Sequence, residues 1–169
     1  MPAPLSRRAW LAHLAAGTAL VVTGRQALAA ERLAAIGAAP GPRLTVYKDP
    51  NCGCCEQWVG HMAQAGFRPA VQDVSDMDAV KRRLGVPAAL ASCHTAVVEG
   101  YVVEGHVPAA DVQRLLKERP KAKGLAVPGM PVGSPGMEQG PPSGYDRYET
   151  LLVQADGRTR RWATHGPAR

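Results

Sequence analysis

The sequence predicts a single domain of the α/β class, because segments with the period of a strand alternate with segments that have the period of a helix. Residues 44–47 alternate between apolar and polar side chains and predict the first strand. Residues 56–65 place Trp58 and Met62 on one helical stripe and end at Gly66, which predicts the first helix. A length of 169 residues with 46% apolar residues, 18 glycines and 15 prolines allows one modest core with long turns.

The later elements continue this alternation. They are, in chain order, a strand over 69–74, a helix that carries Met77, Val80 and Leu84, strands over 95–99 and 101–107 around Glu99-Gly100, and a helix between Pro108 and Pro120. Ser75 and Asp78 have the spacing of a capping box at the start of the second helix. The helical period also predicts Met77 as a core side chain.

The order strand, helix, strand, helix, strand, strand, helix resembles the thioredoxin-like fold, in which a thiol turn lies between the first strand and the first helix. Right-handed crossovers place the first two strands parallel, with helices covering the sheet. Residues 121–144 predict a Gly-, Pro- and Met-rich loop, which is long enough to have a function of its own. Residues 148–154 and 158–164 predict a C-terminal β-hairpin around Asp156-Gly157.

The first 29 residues have the features of an export signal. Arg7 and Arg8 precede an apolar run over 9–22, and Ala27-Leu28-Ala29 is a small-x-small signal for cleavage after Ala29. The paired arginines are typical of the twin-arginine route, with a general secretory signal or an uncleaved anchor as the alternatives. The run is too short and too rich in alanine for a comfortable transmembrane span. We therefore expect a periplasmic protein with no stable membrane span after cleavage.

The predicted organisation is an export signal over 1–29, a flexible lead-in over 30–43, one domain over 44–164 and a tail over 165–169. The formal charge of +6 falls to +3 when the three arginines of the signal are removed, because 17 basic residues then face 14 acidic ones. No basic run is interleaved with aromatic residues, so the sequence does not predict nucleic-acid binding.

Three of the four cysteines, Cys52, Cys54 and Cys55, lie within four positions on the turn between the first strand and the first helix. Free backbone N–H groups and the positive end of the helix dipole favour thiolate over thiol at such a point. Thiolate is the form that binds soft metals and attacks disulfides. The turn is therefore the predicted functional centre of the domain.

Three kinds of chemistry fit this cysteine pattern. Two structural disulfides are the ordinary interpretation for an exported protein, but Cys54 and Cys55 are adjacent and a vicinal disulfide is strained. Cys52 and Cys55 have the spacing of thiol–disulfide oxidoreductases, but Cys54 between them offers a competing thiol. Converging thiolates can instead bridge two or more soft ions. Metal binding is therefore favoured, with thiol–disulfide exchange as the alternative.

Cu(I) is the metal that the donor types favour. Thiolate and thioether donors select Cu(I), zinc or iron–sulfur clusters. The cysteines are packed more closely than the usual zinc spacing, and iron–sulfur sites also favour wider spacing. Met130 and Met137 follow Pro-Gly pairs seven residues apart in the predicted loop, where a thioether can bind copper. Turn formation by the Pro-Gly pairs is the alternative explanation.

Cys93 and His94 directly precede the third strand. In a thioredoxin-like fold this position faces the thiol turn, so Cys93 would complete a four-thiolate cluster and His94 could add an imidazole. A loop histidine bonded to backbone is the alternative for His94. That fold usually has a cis-proline here, and this chain departs from the pattern, since Pro87 is not adjacent to the strand. His61 on the first helix and His106 at the end of a strand are weaker candidates.

The chain resembles the exported family long labelled domain of unknown function 411, also called the CopG family of copper-resistance clusters. The motifs that carry the resemblance are Cys52-Gly-Cys-Cys55 with Trp58, Ser92-Cys-His-Thr95, residues 101–108 and the two Pro-Gly-Met segments within 124–137. The resemblance covers most of the chain after the signal, from about residue 44 to residue 138.

This resemblance implies a periplasmic thioredoxin-like protein that binds copper as a single ion or a multinuclear cluster. The ligand positions that it implies are Cys52, Cys54, Cys55 and Cys93, with Met130 as a ligand or neighbour. Other periplasmic copper-resistance or efflux proteins are the expected partners. Sequestration, delivery to such a partner and copper-linked electron transfer are all compatible with it, and no residue is assigned a catalytic role.

Overall fold

The computed structural model of the protein describes residues 41–167. The predicted export signal, most of the lead-in and the last two residues of the tail lie outside these residues. Within residues 41–167 there are seven strands, β1 (Arg43–Lys48), β2 (Arg68–Asp73), β3 (His94–Val98), β4 (Tyr101–Glu104), β5 (Gly124–Ala126), β6 (Tyr148–Val153) and β7 (Thr159–His165). The same residues contain three α-helices, α1 (Gly53–Gln64), α2 (Met77–Leu84) and α3 (Ala109–Glu118). Short 3-10 turns occur at Ala88–Leu90 and Pro142–Gly144.

The seven strands form one mixed sheet in the order β2-β1-β3-β4-β5-β6-β7. Strand β1 is parallel to β2, as the helical crossover predicts, and antiparallel to β3. Strand β5 is parallel to β4 and antiparallel to β6, so it joins the N-terminal strands to the C-terminal hairpin. The predicted mixed α/β class is therefore confirmed.

The main core lies between the sheet and helices α1 and α3. Helix α1 contributes Trp58 and Met62, and α3 contributes Val112 and Leu115, all of them without measurable exposure. These side chains recur at helical spacing, which is why the two helices present one apolar face each. The indole N–H of Trp58 donates to the Val107 carbonyl at 2.9 Å, which fixes α1 to the segment that leads into α3.

Three local predictions need correction. Residues 121–144 are not wholly a loop, because Gly124–Ala126 forms the fully buried strand β5. This strand has three residues, which is too short for its sequence to show a period. Strand β4 ends at Glu104 and does not reach 107, because Gly105 adopts a φ of 72° and turns the chain. Helix α2 is capped by Asp76, whose carboxylate accepts from the Ala79 N–H at 2.8 Å, and not by a Ser75 capping box.

Helix α2 also buries different side chains from those predicted. Met77 is only half-buried, whereas Val80 and Lys81 are buried. A buried lysine was not foreseen, because the apolar stripe of the helix did not include it.

Among residues 41–167 the structure contains no helix that is both long enough and apolar enough to cross a membrane.

A matched pair of glycine substitutions tests the unforeseen strand β5. A Cβ at Gly124 would lie well inside contact distance of the Val102 carbonyl on β4, with which it is in register. Gly124→Ala should therefore lower the free energy of unfolding by about 3 kcal/mol or more, because two backbones would have to separate. Gly60→Ala, within α1 and free of any clash, should instead raise it by about 0.5–1 kcal/mol.

Urea unfolding of both variants measures the two effects. An unchanged midpoint for Gly124→Ala would show that β5 does not pack against β4 as described.

Candidate metal and thiol centre

The turn between β1 and α1 is built to present three sulfur atoms. The Asp49 carboxylate accepts from the Asn51 N–H at 2.8 Å, and the Asp49 carbonyl accepts from the Cys52 N–H at 3.1 Å. Cys52 is the residue before the first helical turn, and its side chain makes no capping hydrogen bond. Cys54 and Cys55 follow within that first turn. The structure therefore places the thiols at the helix N-terminus, as the sequence predicts.

All four cysteines lie together in the described part of the chain. The Cys52 and Cys55 sulfurs are joined as a disulfide, while Cys54 and Cys93 are free thiols. The Cys54 sulfur lies 3.6 Å from that of Cys52 and 3.9 Å from that of Cys93. One ligand atom from each of the four cysteines falls within 4.8 Å of the others. Cys93, 38 residues after Cys55, is thus brought to the turn by the fold.

Two histidines extend the cluster on the side of Cys93. The Cys93 sulfur lies 3.0 Å from Nε2 of His106 and 3.4 Å from Nδ1 of His94. Nδ1 of His106 lies 2.8 Å from the Pro135 carbonyl oxygen, which can only accept. Nδ1 therefore carries the proton, and in the neutral ring Nε2 directs its lone pair toward Cys93. His106 is fixed in the tautomer that a metal ligand requires.

Burial keeps these groups uncharged when no metal is bound. Burial lowers the pKa of His106 and is the main reason that the pKa of His94 lies well below its usual value. Repulsion from the Lys81 ammonium, and from His106 whenever its ring is protonated, lowers the pKa of His94 further. Burial, reinforced by Cys54, raises the pKa of the Cys93 thiol to about 12. The site thus offers neutral imidazoles and a protonated Cys93, so a metal ion must displace the thiol proton.

His94 is enclosed on every side that the structure describes. The side chain has no measurable exposure. The centroid of its ring lies 4.4 Å from that of Trp58 and 5.0 Å from that of His106. Its Nε2 has no hydrogen-bond partner within residues 41–167. A buried ring nitrogen without a partner is costly, and a functional role is one reason for a protein to keep it. The prediction that His94 lies beside the cysteines agrees with this position; its role as a ligand stays a prediction.

The predicted Gly-, Pro- and Met-rich loop lies against the thiol turn. A Cβ at Gly136 would lie 2.6 Å from the Cys54 carbonyl oxygen and 2.8 Å from the Trp58 nitrogen, so only glycine allows this close approach. The Glu138 carboxylate accepts from the Gly136 N–H at 2.7 Å and lies 3.0 Å from Nε2 of His61 on α1. The segment 135–138, which we call the cover segment, is therefore attached to both His106 and α1.

The two loop methionines occupy different surroundings. Met130 is 52% exposed and follows Gly129, whose carbonyl accepts a hydrogen bond from the Ser92 hydroxyl next to Cys93. Met137 is half-buried within the cover segment and its N–H donates to the Ser134 carbonyl at 2.7 Å. Both methionines thus lie on segments that adjoin the site, and thioether coordination by either stays a prediction.

His106 is the residue that sequence reasoning ranked too low, because it was assigned to the end of a strand. A signal was present, since a hairpin around Glu99-Gly100 pairs Thr95 with Glu104 and so places His106 beside Cys93. His61, the other weak candidate, lies 3.0 Å from the Glu138 carboxylate and belongs to neither group of potential metal ligands in the described residues.

The donor set fits a soft metal ion. Four sulfur atoms and the two imidazoles converge in one partly buried place, and no carboxylate belongs to either of its two ligand groups. Thiolate and imidazole donors without carboxylates favour soft or borderline ions over magnesium or calcium. The disulfide must be reduced before Cys52 and Cys55 can contribute, because only thiolates are strong ligands.

Comparisons with known proteins agree with this site. A family model described as "Protein of unknown function, DUF411" matches residues 90–137, which include Cys93, His94, His106 and Met130. Two solved structures of copper resistance protein CopG, forms 1 and 2, are each 46% identical in sequence, with a TM-score of 0.70. Form 1 is matched over 76% of this chain and 100% of its own; form 2 over 74% and 98%. No curated protein matches the chain.

The disulfide predicts a defined thiol count. Metal-free protein purified in air and then denatured should show two reactive thiols, Cys54 and Cys93, and four after reduction. Cys52→Ser removes one partner of the disulfide, so this variant should show three thiols without any reductant. A thiol reagent with an absorbing product gives the counts. Zero thiols in the wild type would instead indicate a second disulfide between Cys54 and Cys93.

Proposed function

Because the chain belongs to the DUF411 family that also contains the copper resistance protein CopG, we propose that it binds copper in copper homeostasis or resistance. Its clustered cysteine thiolates hold Cu(I) as one ion or as a multinuclear, redox-active cluster. The convergence of four sulfur atoms, with ligand atoms all within 4.8 Å, is the observation that carries the proposal. The chain acts in the periplasm, which the signal-like residues 1–29 support.

The ligand set of the proposed site has an inner and an outer part. Cys52, Cys54 and Cys55 supply sulfurs from the helix N-terminus, where the helix dipole stabilises thiolates. Cys93 closes the site opposite them. His94 and His106 contact Cys93 from the core side and can each supply a neutral ring nitrogen. Bridging thiolates let these few residues hold more than one Cu(I), which favours copper over a single tetrahedral zinc ion.

The cover segment controls how copper enters and leaves in this proposal. It lies against the Cys54 carbonyl and contacts His106 through Pro135, so it restricts access from the loop side. Met137 within this segment and exposed Met130, which follows Gly129 beside Ser92, provide weak thioether donors for transfer to a partner protein. A thioredoxin-like arrangement of the domain is supported by the position of the thiol turn between β1 and α1.

Thiol–disulfide exchange by Cys52 and Cys55 is the second candidate function, and the disulfide between them favours it. An exchange enzyme needs one thiol at the helix N-terminus to attack and a second to resolve, which this pair provides. Cys54, 3.6 Å from the Cys52 sulfur, competes for the same bond. Reduction of insulin by metal-free protein, abolished in Cys52→Ser, would favour this second function.

Copper stoichiometry tests the first function directly. Protein reduced and loaded with Cu(I) without oxygen should hold more than one copper per chain by elemental analysis, with its thiols protected until a chelator is added. Cys93→Ser should lower that stoichiometry, because Cys93 joins the helix thiols to the histidines, while the circular dichroism spectrum stays that of a folded domain. Unchanged stoichiometry would remove Cys93 from the site, and one zinc with no copper would contradict the proposal.

The cover segment can be tested with the two Pro-Gly-Met glycines. Gly129 and Gly136 both have positive φ, so alanine costs each about 1–2 kcal/mol of backbone strain, but only Gly136 also meets the Cys54 turn. Gly136→Ala should therefore displace the cover segment and speed transfer of Cu(I) to a chelator, measured by stopped-flow absorbance. Gly129→Ala should leave the rate near that of wild type. Equal rates in all three proteins would show that the segment does not limit exchange.

A further inference from the structure

A buried carboxylate stands behind the Cys93 segment. Glu104 ends β4 and is 1% exposed. One of its oxygens accepts from Lys81 Nζ at 2.5 Å and from the Ser92 N–H at 2.6 Å, and the other accepts from the Thr95 hydroxyl at 2.6 Å. Lys81 Nζ also donates to the Thr95 hydroxyl at 3.0 Å. The carboxylate thus accepts hydrogen bonds from three donors inside the domain.

Two of these donors, Ser92 and Thr95, flank Cys93 and His94 in the sequence. Glu104 therefore binds the backbone N–H of the residue before this pair and the side-chain hydroxyl of the residue after it. The same strand end also leads directly to His106 through Gly105. A Cβ at Gly105 would lie 2.5 Å from the Ser92 hydroxyl, and the Gly105 N–H donates to the His94 carbonyl at 3.0 Å. The end of β4 is therefore connected to the segment of Cys93 and His94 and, through the chain, to His106.

The stability of the fold is by itself a weak reason to bury the Lys81–Glu104 ion pair. Removing two charges from water costs several kcal/mol for each ion, and apolar side chains of similar volume often serve a core equally well. Burial does raise the pKa of Glu104, and Lys81 opposes this. The pair does, however, supply what apolar side chains cannot, namely acceptors for Ser92 and Thr95 with fixed directions. Outer partners of this kind orient metal ligands in other sites.

We propose that Glu104, paired with Lys81, is a positioning residue that orients Cys93 and His94 toward the cysteine cluster. The proposal rests on the proposed function for its meaning, but its first consequence concerns the metal-free protein. Without the Glu104 acceptors, the segment around Cys93 is released from β4, and the Cys93 thiol becomes more accessible to solvent.

The test compares Glu104→Gln with Asp111→Asn. Asp111 is also a buried carboxylate, 6% exposed, and accepts from a threonine hydroxyl, that of Thr150, at 2.6 Å. Its other contact is His165 of the C-terminal hairpin at 2.7 Å, away from Ser92 and Thr95. Both substitutions neutralise a buried carboxylate that holds a threonine, but only Glu104→Gln affects the Cys93 segment.

Two measurements are made on each reduced protein. The first is the rate at which iodoacetamide modifies Cys93 in the metal-free state, read by mass spectrometry; trypsin separates this cysteine from the other three, by cleavage after Arg83 and Arg114. The second is Cu(I) affinity by competition with a chelator. Glu104→Gln should raise the Cys93 modification rate several-fold and weaken Cu(I) binding by about 10-fold or more, as for other lost outer partners of metal ligands. Asp111→Asn should change neither.

Equal Cys93 modification rates in Glu104→Gln and wild type would overturn the proposal, as would the same increase in Asp111→Asn, which would indicate general loosening. If Glu104→Gln does not fold, the double variant Lys81→Met, Glu104→Gln removes both buried charges and is subjected to the same two measurements and criteria. If wild-type protein binds no Cu(I), the proposed function fails, and the metal-free modification rate still decides whether Glu104 positions Cys93.

Discussion

The antiparallel pairing of β1 with β3 is the constraint on which the site depends. Its register places Lys48, the last residue of β1, beside His94, the first residue of β3. The chain leaves β1 toward the thiol turn at one end of the sheet, and Cys93 directly precedes β3 at the same end. Distant cysteines therefore meet because two strands share a register, and a shift by one residue would turn Cys93 to the opposite face. Buried Leu44 and Val46 on β1 help to fix that register.

Strands β4 and β5 also end on the side of the sheet where Cys93 lies. Thr95 of β3 pairs with Glu104 of β4, so the two residues that follow β4 return to the Cys93 end of the sheet and carry His106 there. Strand β5 runs parallel to β4, so the chain beyond it emerges at this end as well and continues into the cover segment. Strands β1, β3, β4 and β5 are adjacent in the sheet, and the segments at their ends place the cysteines, the histidines and the cover segment at one end of the sheet.

Much of this was available from the sequence, and the limits have physical causes. The thiol turn was predictable because strand, helix and cysteines are neighbours along the chain. The approach of Cys93 was expected only through the likeness to a known fold, since 38 residues separate it from Cys55. His106 was underrated because Gly105 was counted as part of a longer strand, whereas its positive φ ends β4 and directs the imidazole inward.

Other features were beyond reach of the sequence. Strand β5 has three residues and shows no period, and its place in the sheet depends on partners on both sides. The acceptors supplied by Glu104 depend on Lys81 entering from α2, a contact that no local pattern indicates. Nor does the cysteine spacing determine which two of four thiols are oxidised. Such features arise from contacts between residues far apart in the chain, where local propensity carries little information.

The disulfide and the proposed copper site make competing demands on Cys52 and Cys55. Each of these sulfurs is either bonded to the other or available as a thiolate, so copper on all four cysteines requires the reduced form. A ligand that binds one form of a protein shifts the equilibrium toward that form by RT ln(1 + [L]/Kd). Copper bound as proposed would therefore protect the thiols from oxidation, and oxidation would in turn weaken copper binding by the same factor. The free thiols of Cys54 and Cys93, with His106 3.0 Å from the latter, would remain as donors after oxidation. Copper affinity and thiol redox state are in this way two measures of one equilibrium at the end of β1.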